Sequence, residues 1–315
     1  MNKLLPIALL LTLLLTACGG TTTSSENSGA NANSPGASQS EDTFVYESEN
    51  GPVTVPKNPQ RVVVLTRFLT GNVMLLDVPL VGVDQMAKDN PNFAEQLKDV
   101  EVVSDESLEK ILALQPDLII GQSNISNLDK LNEIAPTVTY TYGKLDYLQQ
   151  HIEIGKLLNK EAEAKAWAED FQARASEAGE NIRAKVGDDA TVSVIEMFNK
   201  QLYVYGYNFG RGTEILYGEM GLKLPEKVEE ATQTDGYLAL SFEVMGDYMG
   251  DYVIYSKDEA EDNSFLETET YKSIDAVKNN RVFTADAKAF YFNDPLSLEY
   301  QLQFFIDHFL DGSEQ

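Results

Sequence analysis

The sequence predicts an α/β protein: two α/β lobes joined by a single long helix, a helical-backbone arrangement. Three observations carry that expectation. Short β-branched runs alternate with helix-spaced segments from Arg61 to Tyr140, the same alternation restarts at Thr191, and between them lies a proline-free stretch rich in Ala, Glu, Lys and Gln. The chain has 315 residues, 43% of them hydrophobic, enough for a sizeable core shared between two lobes.

The folded part should begin with a hairpin, because Phe44-Val45-Tyr46 and Val53-Thr54-Val55 flank the turn pair Asn50-Gly51 and Pro56 ends the second run. Arg61 to Leu65 reads as a buried strand, followed by a segment from Gly71 to Leu76 that can open a helix and by the short strand Val81 to Val83. Ser107 to Leu114 has helical spacing and Pro116 stops it before the strand Leu118 to Gly121. A helix end at Asn132 to Ala135 then leads into the strand Thr137 to Tyr140, which gives the order expected of parallel pairing. From Leu148 to about Ala184 a long helix is expected, or two in line, with one interruption at Leu158-Asn159-Lys160. Beyond it come strands at Thr191 to Ile195 and Gln201 to Tyr205, a helix from Thr213 to Met220, strands at Tyr252 to Tyr255 and Arg281 to Phe283, and an amphipathic helix from Leu296 to Leu310.

The first residues fix where such a chain works. Lys3, an apolar run from Leu4 to Leu15 and Leu15-Thr16-Ala17-Cys18-Gly19 form a secretory signal ending in a lipobox, with the only cysteine placed to carry lipid as the first residue of the mature protein. The run is shorter than the ~20 residues of a membrane span, so the expectation is an anchor and not a crossing. Thr21 to Asp42 is Ser, Thr, Asn and Gly with hardly a large apolar side chain, the composition of a flexible tether. The expected boundaries are a signal peptide over 1–17, a lipidated tether over 18–43, an N-terminal lobe over 44–147, the interlobe helix over 148–184 and a C-terminal lobe over 185–315. Net charge is −26, which disfavours nucleic acid as a partner because phosphate neutralisation needs basic patches.

Enzyme signatures are scarce. The two histidines, His151 and His308, both fall inside expected helices, and there is no Gly-x-Ser-x-Gly and no phosphate loop. Two loops concentrate aromatic residues instead. Leu202 to Glu214 holds Tyr203, Tyr205, Tyr207 and Phe209, with Arg211 between Gly210 and Gly212; Ala289 to Pro295 holds Phe290, Tyr291 and Phe292. A guanidinium among glycines and aromatics suits a planar, oxygen-rich or anionic ligand. Tyr203 and Tyr205 are two apart and share one strand face, so both look to a cleft or both to the core. Arg67 follows the first buried strand, at the end where α/β sheets bind ligands; a ligand role and a surface salt bridge both fit it.

At these residues the chain resembles the siderophore-binding lipoproteins of Gram-positive ABC importers, and within them the ferric-hydroxamate binders. The resemblance spans Val53 to Leu310 and rests on Val55-Pro56-Lys57-Asn58-Pro59-Gln60-Arg61, Pro116-Asp117-Leu118-Ile119-Ile120, Ile134-Ala135-Pro136-Thr137-Val138, Phe209-Gly210-Arg211-Gly212 and Tyr291-Phe292-Asn293-Asp294-Pro295. It implies that Arg211 contacts hydroxamate or carboxylate oxygens, that Phe209 and Tyr291 form aromatic walls where relatives often carry tryptophan, and that Tyr142 faces them from the opposite lobe. It also implies that Glu109 and Glu243, one on each lobe, dock onto basic residues of the permease; a carboxylate stabilised by a helix N-terminus is the alternative for either.

The expected function is therefore capture of a ferric siderophore of the hydroxamate or citrate-hydroxamate type at the outer face of the cytoplasmic membrane, and its delivery to an ABC permease and its ATPase by a monomeric, lipid-anchored protein. No cofactor and no protein-bound metal are expected, since the siderophore holds the iron. Catecholate complexes, haem and corrinoids are the alternative ligands, and a tethered extracytoplasmic enzyme is the alternative class. Two arginines at one cleft, if Arg67 faces it, would favour an anionic complex. Loss of Arg211 is expected to weaken binding and leave folding little changed.

Overall fold

The computed structural model describes residues 42–311; the expected signal peptide, Cys18 and the tether as far as residue 41 lie outside the described residues. Strands β1 (Thr43–Ser48) and β2 (Gly51–Pro56) form the antiparallel hairpin, with Ser48 opposite Gly51 across the turn. The N-terminal lobe is a five-stranded parallel sheet in the order β5-β4-β3-β6-β7, made of β3 (Val62–Val64), β4 (Leu80–Val83), β5 (Glu101–Val102), β6 (Leu118–Gln122) and β7 (Thr137–Tyr140). Its connections carry helices α1 (Arg67–Leu75), α2 (Leu108–Leu114) and α3 (Leu128–Ile134). Thr66 caps α1, so the helix begins four residues before the expected Gly71. Gln115, in the left-handed region, and Pro116 end α2 where the sequence places its stop.

The interlobe segment differs from the expected straight rod. It is two helices, α4 (Tyr147–Leu157) and α5 (Glu161–Val186), and they fold back on each other instead of running in line. Asn159 takes φ 57° at the interruption, and Gly155 packs so tightly on Ala164 that an added Cβ would lie 2.5 Å from the alanine's. The fold-back sets the ring of His151 on α4 at 4.9 Å from that of Trp167 on α5. α5 alone is the long connector, 26 residues or about 39 Å of helix. Its buried stripe Ala164, Ala168, Phe171, Ala175, Ala178, Ile182 follows helical spacing; Ala164 belongs to the N-terminal core, and Phe171 to Ile182 belong to the C-terminal one.

The C-terminal sheet is mixed, in the order β10-β9-β8-β11-β12. β8 (Val192–Phe198), β11 (Tyr252–Lys257) and β12 (Val282–Asp286) are parallel, while β9 (Gln201–Tyr205) and β10 (Tyr237–Leu240) run antiparallel at one edge. The first two strands of this lobe thus pair directly as a hairpin, because Asn199 and Lys200 both take positive φ, as a two-residue turn of the primed type requires. Helix α6 (Glu226–Thr232) precedes β10, and α7 (Pro295–Ile306), capped by Asp294, ends in a π-helical turn from Asp307 to Asp311. The expected helix after Thr213 is also π-helical, Glu214 to Glu219.

The lobes touch where α1 crosses the start of α7. Gly71 permits it: a Cβ there would lie 1.7 Å from Asp294 Oδ1. Asn92 Nδ2 donates to the Ala289 carbonyl at 3.1 Å in the same contact, and Leu296 packs into the apolar cluster of Met74, Val83 and Phe93. No described helix is long and apolar enough to cross a membrane.

Candidate functional site

A cleft of about 280 Å³ lies between the lobes, beyond the carboxyl ends of β6 and β7, where open α/β sheets place their ligands. Gln122 and Tyr140 end those strands and line it, with Phe68 and Asn72 of α1, Tyr142 of the following loop and Gln150 of α4. The C-terminal lobe contributes Asn208, Glu214 and Asn293. Gln150 Nε2 is buried at this wall and has no hydrogen-bond partner among the described residues.

The Arg211 loop is built from the inside out. β9 presents Tyr203 and Tyr205 on one face, their rings 6.4 Å apart; Tyr205 is buried and Tyr203 partly so. Phe209 stacks on Tyr205 at 5.4 Å, and the Arg211 guanidinium lies over Tyr205 at 4.7 Å and Tyr291 at 5.1 Å. Gly210, at φ +71°, must be glycine, since a Cβ would meet the Tyr291 carbonyl at 2.5 Å. Arg211 is not free to meet a ligand as an isolated cation. Glu196, fully buried on β8, accepts its Nη2 at 2.7 Å and its Nε at 3.2 Å, and the Ser256 hydroxyl donates to the same carboxylate at 2.5 Å. Burial disfavours the charged guanidinium, but Glu196 and the two tyrosines outweigh it and raise the arginine's pKa.

Glu214 joins the two aromatic loops. Its Oε1 accepts the Gly210 N–H at 2.8 Å and Asn293 Nδ2 at 3.0 Å, so the loops at 206–213 and 291–295 meet on one carboxyl. Burial raises its pKa against those hydrogen bonds. Across the cleft Tyr142 rests on Phe68 at 4.7 Å, and Phe68 meets Phe292 edge-on at 5.7 Å, an aromatic contact between lobes. Burial raises the Tyr142 pKa first, then Glu214; Arg211 opposes them.

Of the seven ligand residues expected from the sequence, Tyr142 lines the cleft, while Tyr203, Tyr205, Phe209, Arg211 and Tyr291 form an aromatic box that adjoins it through Asn208 and Glu214. Arg67 does not itself line the cleft: it contacts Met86 Sδ and lines a shallow hollow with Asp84 and Ser107, while its guanidinium stands 5.6 Å from the ring of the cleft residue Phe68. Glu109 is exposed in the first turn of α2. Glu243 is exposed in the turn that leads into a 3-10 helix over Met245–Tyr248, and its own backbone N–H and the Ser241 hydroxyl lower its pKa. His151 is buried against Trp167, its Nδ1 paired with Asn72 Oδ1 at 3.1 Å, and burial lowers its pKa to about 4. Glu196, Glu214 and Phe68 escape the sequence reading. A charge inside the Val192–Phe198 run, whose only other polar residue is Ser193, is the one signal that points to Glu196.

A profile of the periplasmic binding protein family matches residues 62–289. The chain is 37% identical over 303 residues to the iron(3+)-hydroxamate-binding protein FhuD of Bacillus subtilis (strain 168), covering 94% of each. It is 33% identical over 321 residues to the iron(3+)-hydroxamate-binding protein YxeB of the same organism, covering 99% of this chain and 97% of the relative. Among solved structures it is similar to FhuD2 of Staphylococcus aureus with bound ferrioxamine B, at 30% identity and a TM-score of 0.76, over 81% of this chain and all of the other.

Proposed function

The chain belongs to the periplasmic binding protein family, and we propose that it captures a ferric siderophore of the hydroxamate class in the interlobe cleft and hands it to an ABC permease. Such a protein binds and releases; it transforms nothing. The observation that carries the reading is a cleft walled by both lobes in which aromatic faces, Phe68 and Tyr142, stand beside the buried, unpartnered amide donor of Gln150. A hydroxamate complex offers such a wall apolar edges and outward-facing oxygens, and its iron arrives already chelated. Relatives whose names specify iron(3+)-hydroxamate support the ligand class.

In this proposal Tyr142, Phe68, Gln150, Asn293 and Glu214 meet the ligand, while Tyr203, Tyr205, Phe209, Arg211 and Tyr291 form the rigid wall behind them. Lipid on Cys18 holds the monomer at the outer face of the membrane, and Glu109 and Glu243, exposed on different lobes, face the permease. Titration of the purified protein with a ferric tris-hydroxamate, read by quenching of Tyr and Trp167 emission, tests the capture step. Saturable quenching with the chelate recovered unchanged is expected. Absence of binding to every hydroxamate, with saturable binding of haem or a catecholate complex, overturns it.

A further inference from the structure

The charges around the cleft narrow the ligand further, given the capture function proposed above. Among the described lining residues are two carboxyls, Asp146 and Glu214, and no lysine or arginine. Two of the nearby cations are paired and a third stands outside the cleft. Arg211 is gripped by Glu196 at 2.7 and 3.2 Å, Lys144 pairs with Glu49 at 3.5 Å, and Arg67, 5.6 Å from the Phe68 ring, lies against Met86 in a separate hollow with Asp84. Glu214 is 4% exposed, and its carboxyl accepts hydrogen bonds from Gly210 and Asn293 without meeting a cationic side chain in them.

We propose that the cleft selects by charge: it takes ferric hydroxamates that are neutral or carry an ammonium group, and discriminates against those bearing free carboxylates. A carboxylate-bearing complex would bring negative charge into a partly desolvated site that holds two carboxyls and no cation among its described lining residues, which is costly. An ammonium arm gains from the same field. This reverses the preference for an anionic complex that two cleft arginines would have created, and sets the citrate-hydroxamates below the simple tris-hydroxamates.

The test uses one linear ferric tris-hydroxamate with a terminal amine, of the ferrioxamine B kind, in three forms: the free amine, the neutral succinamide and the anionic succinate, the last two of equal size. The iron centre is the same in all three. The amine and the succinamide should bind well, and the succinate roughly tenfold or more weaker at low ionic strength, as one charge contact in a partly solvated site predicts. That gap should narrow in high salt, and it should narrow in Glu214→Gln. Should Glu214→Gln fail to fold, Asp146→Asn at the cleft mouth is the second variant. Equal or tighter binding of the succinate overturns the inference, as does a gap unchanged by both substitutions. If all three forms bind alike, capture stands and charge selection fails; if none binds, capture itself fails and the inference falls with it.

Discussion

Glu196 and Arg211 form a two-pronged ion pair beneath the aromatic box, with the carboxylate fully buried and the guanidinium sandwiched between Tyr205 and Tyr291. The pair belongs to the architecture as much as to the ligand wall. Removing one partner leaves the other charge buried alone, which is a different experiment from trimming a surface contact.

Arg211→Ala should therefore destabilise the protein by about 3–5 kcal/mol in chemical denaturation, against the expectation from sequence that folding would be little changed. Adding Glu196→Gln to that variant should restore part of the loss, since the uncompensated charge is then gone. A stability change below 1 kcal/mol would show that Glu196 is not held as described.

Asp294 gives a pH signature. Burial raises its carboxyl from the ordinary 3.8 to about 6, against the hydrogen bonds from Ser297 and Leu296. Its contribution to stability is full below about pH 4, where both states are protonated, and is lost as pH rises through 6, where the unfolded chain has already ionised. Asp294→Asn keeps an oxygen to cap α7 and cannot ionise. At pH 7.5 it should match or exceed the parent by as much as about 3 kcal/mol, and the difference should vanish at pH 4. Thermal melts across that range decide it.

His151 works in the opposite direction. Burial lowers its pKa to about 4, so the neutral ring's contribution is complete above about 6.5 and drains away as pH falls toward 4. His151→Phe keeps the aromatic edge against Trp167 and gives up the bond to Asn72, costing about 1 kcal/mol at neutral pH. Its stability should fall less steeply than the parent's between pH 6.5 and 4; parallel curves would remove His151 as the cause.

Replacing both Glu109 and Glu243 with lysine should leave siderophore affinity intact and collapse iron uptake, because like charges at two contact points oppose docking. Each single replacement should do less. Uptake of radiolabelled iron in cells, beside a titration of the same variants, checks this; normal uptake in the double variant would leave the two glutamates without a docking role.

Much of the fold is legible in the sequence because it is local: β-branched runs, proline stops and one proline-free helical stretch. The fold-back of α4 on α5 is not, since Leu158-Asn159-Lys160 announces a break but its direction depends on Gly155 meeting Ala164 and His151 meeting Trp167. The same division holds at the site. Glycines and aromatics single out the Arg211 loop, yet its partner sits fifteen residues away on a strand whose alternation says only which face Glu196 takes. β10 escapes notice for a related reason: an edge strand of four residues is stabilised by its pairing to β9, not by any pattern of its own.

The approach of α1 to Asp294 at Gly71 has a bearing on how cargo is exchanged. Two halves that interlock within a methyl group's width, along a stiff 26-residue strut, are poorly made for a wide clamshell swing. Tyr142, 59% exposed above Phe68, is by contrast a cleft ring that no lobe-to-lobe contact of this kind holds in place. A carrier braced in this way would keep nearly the same outline whether empty or loaded.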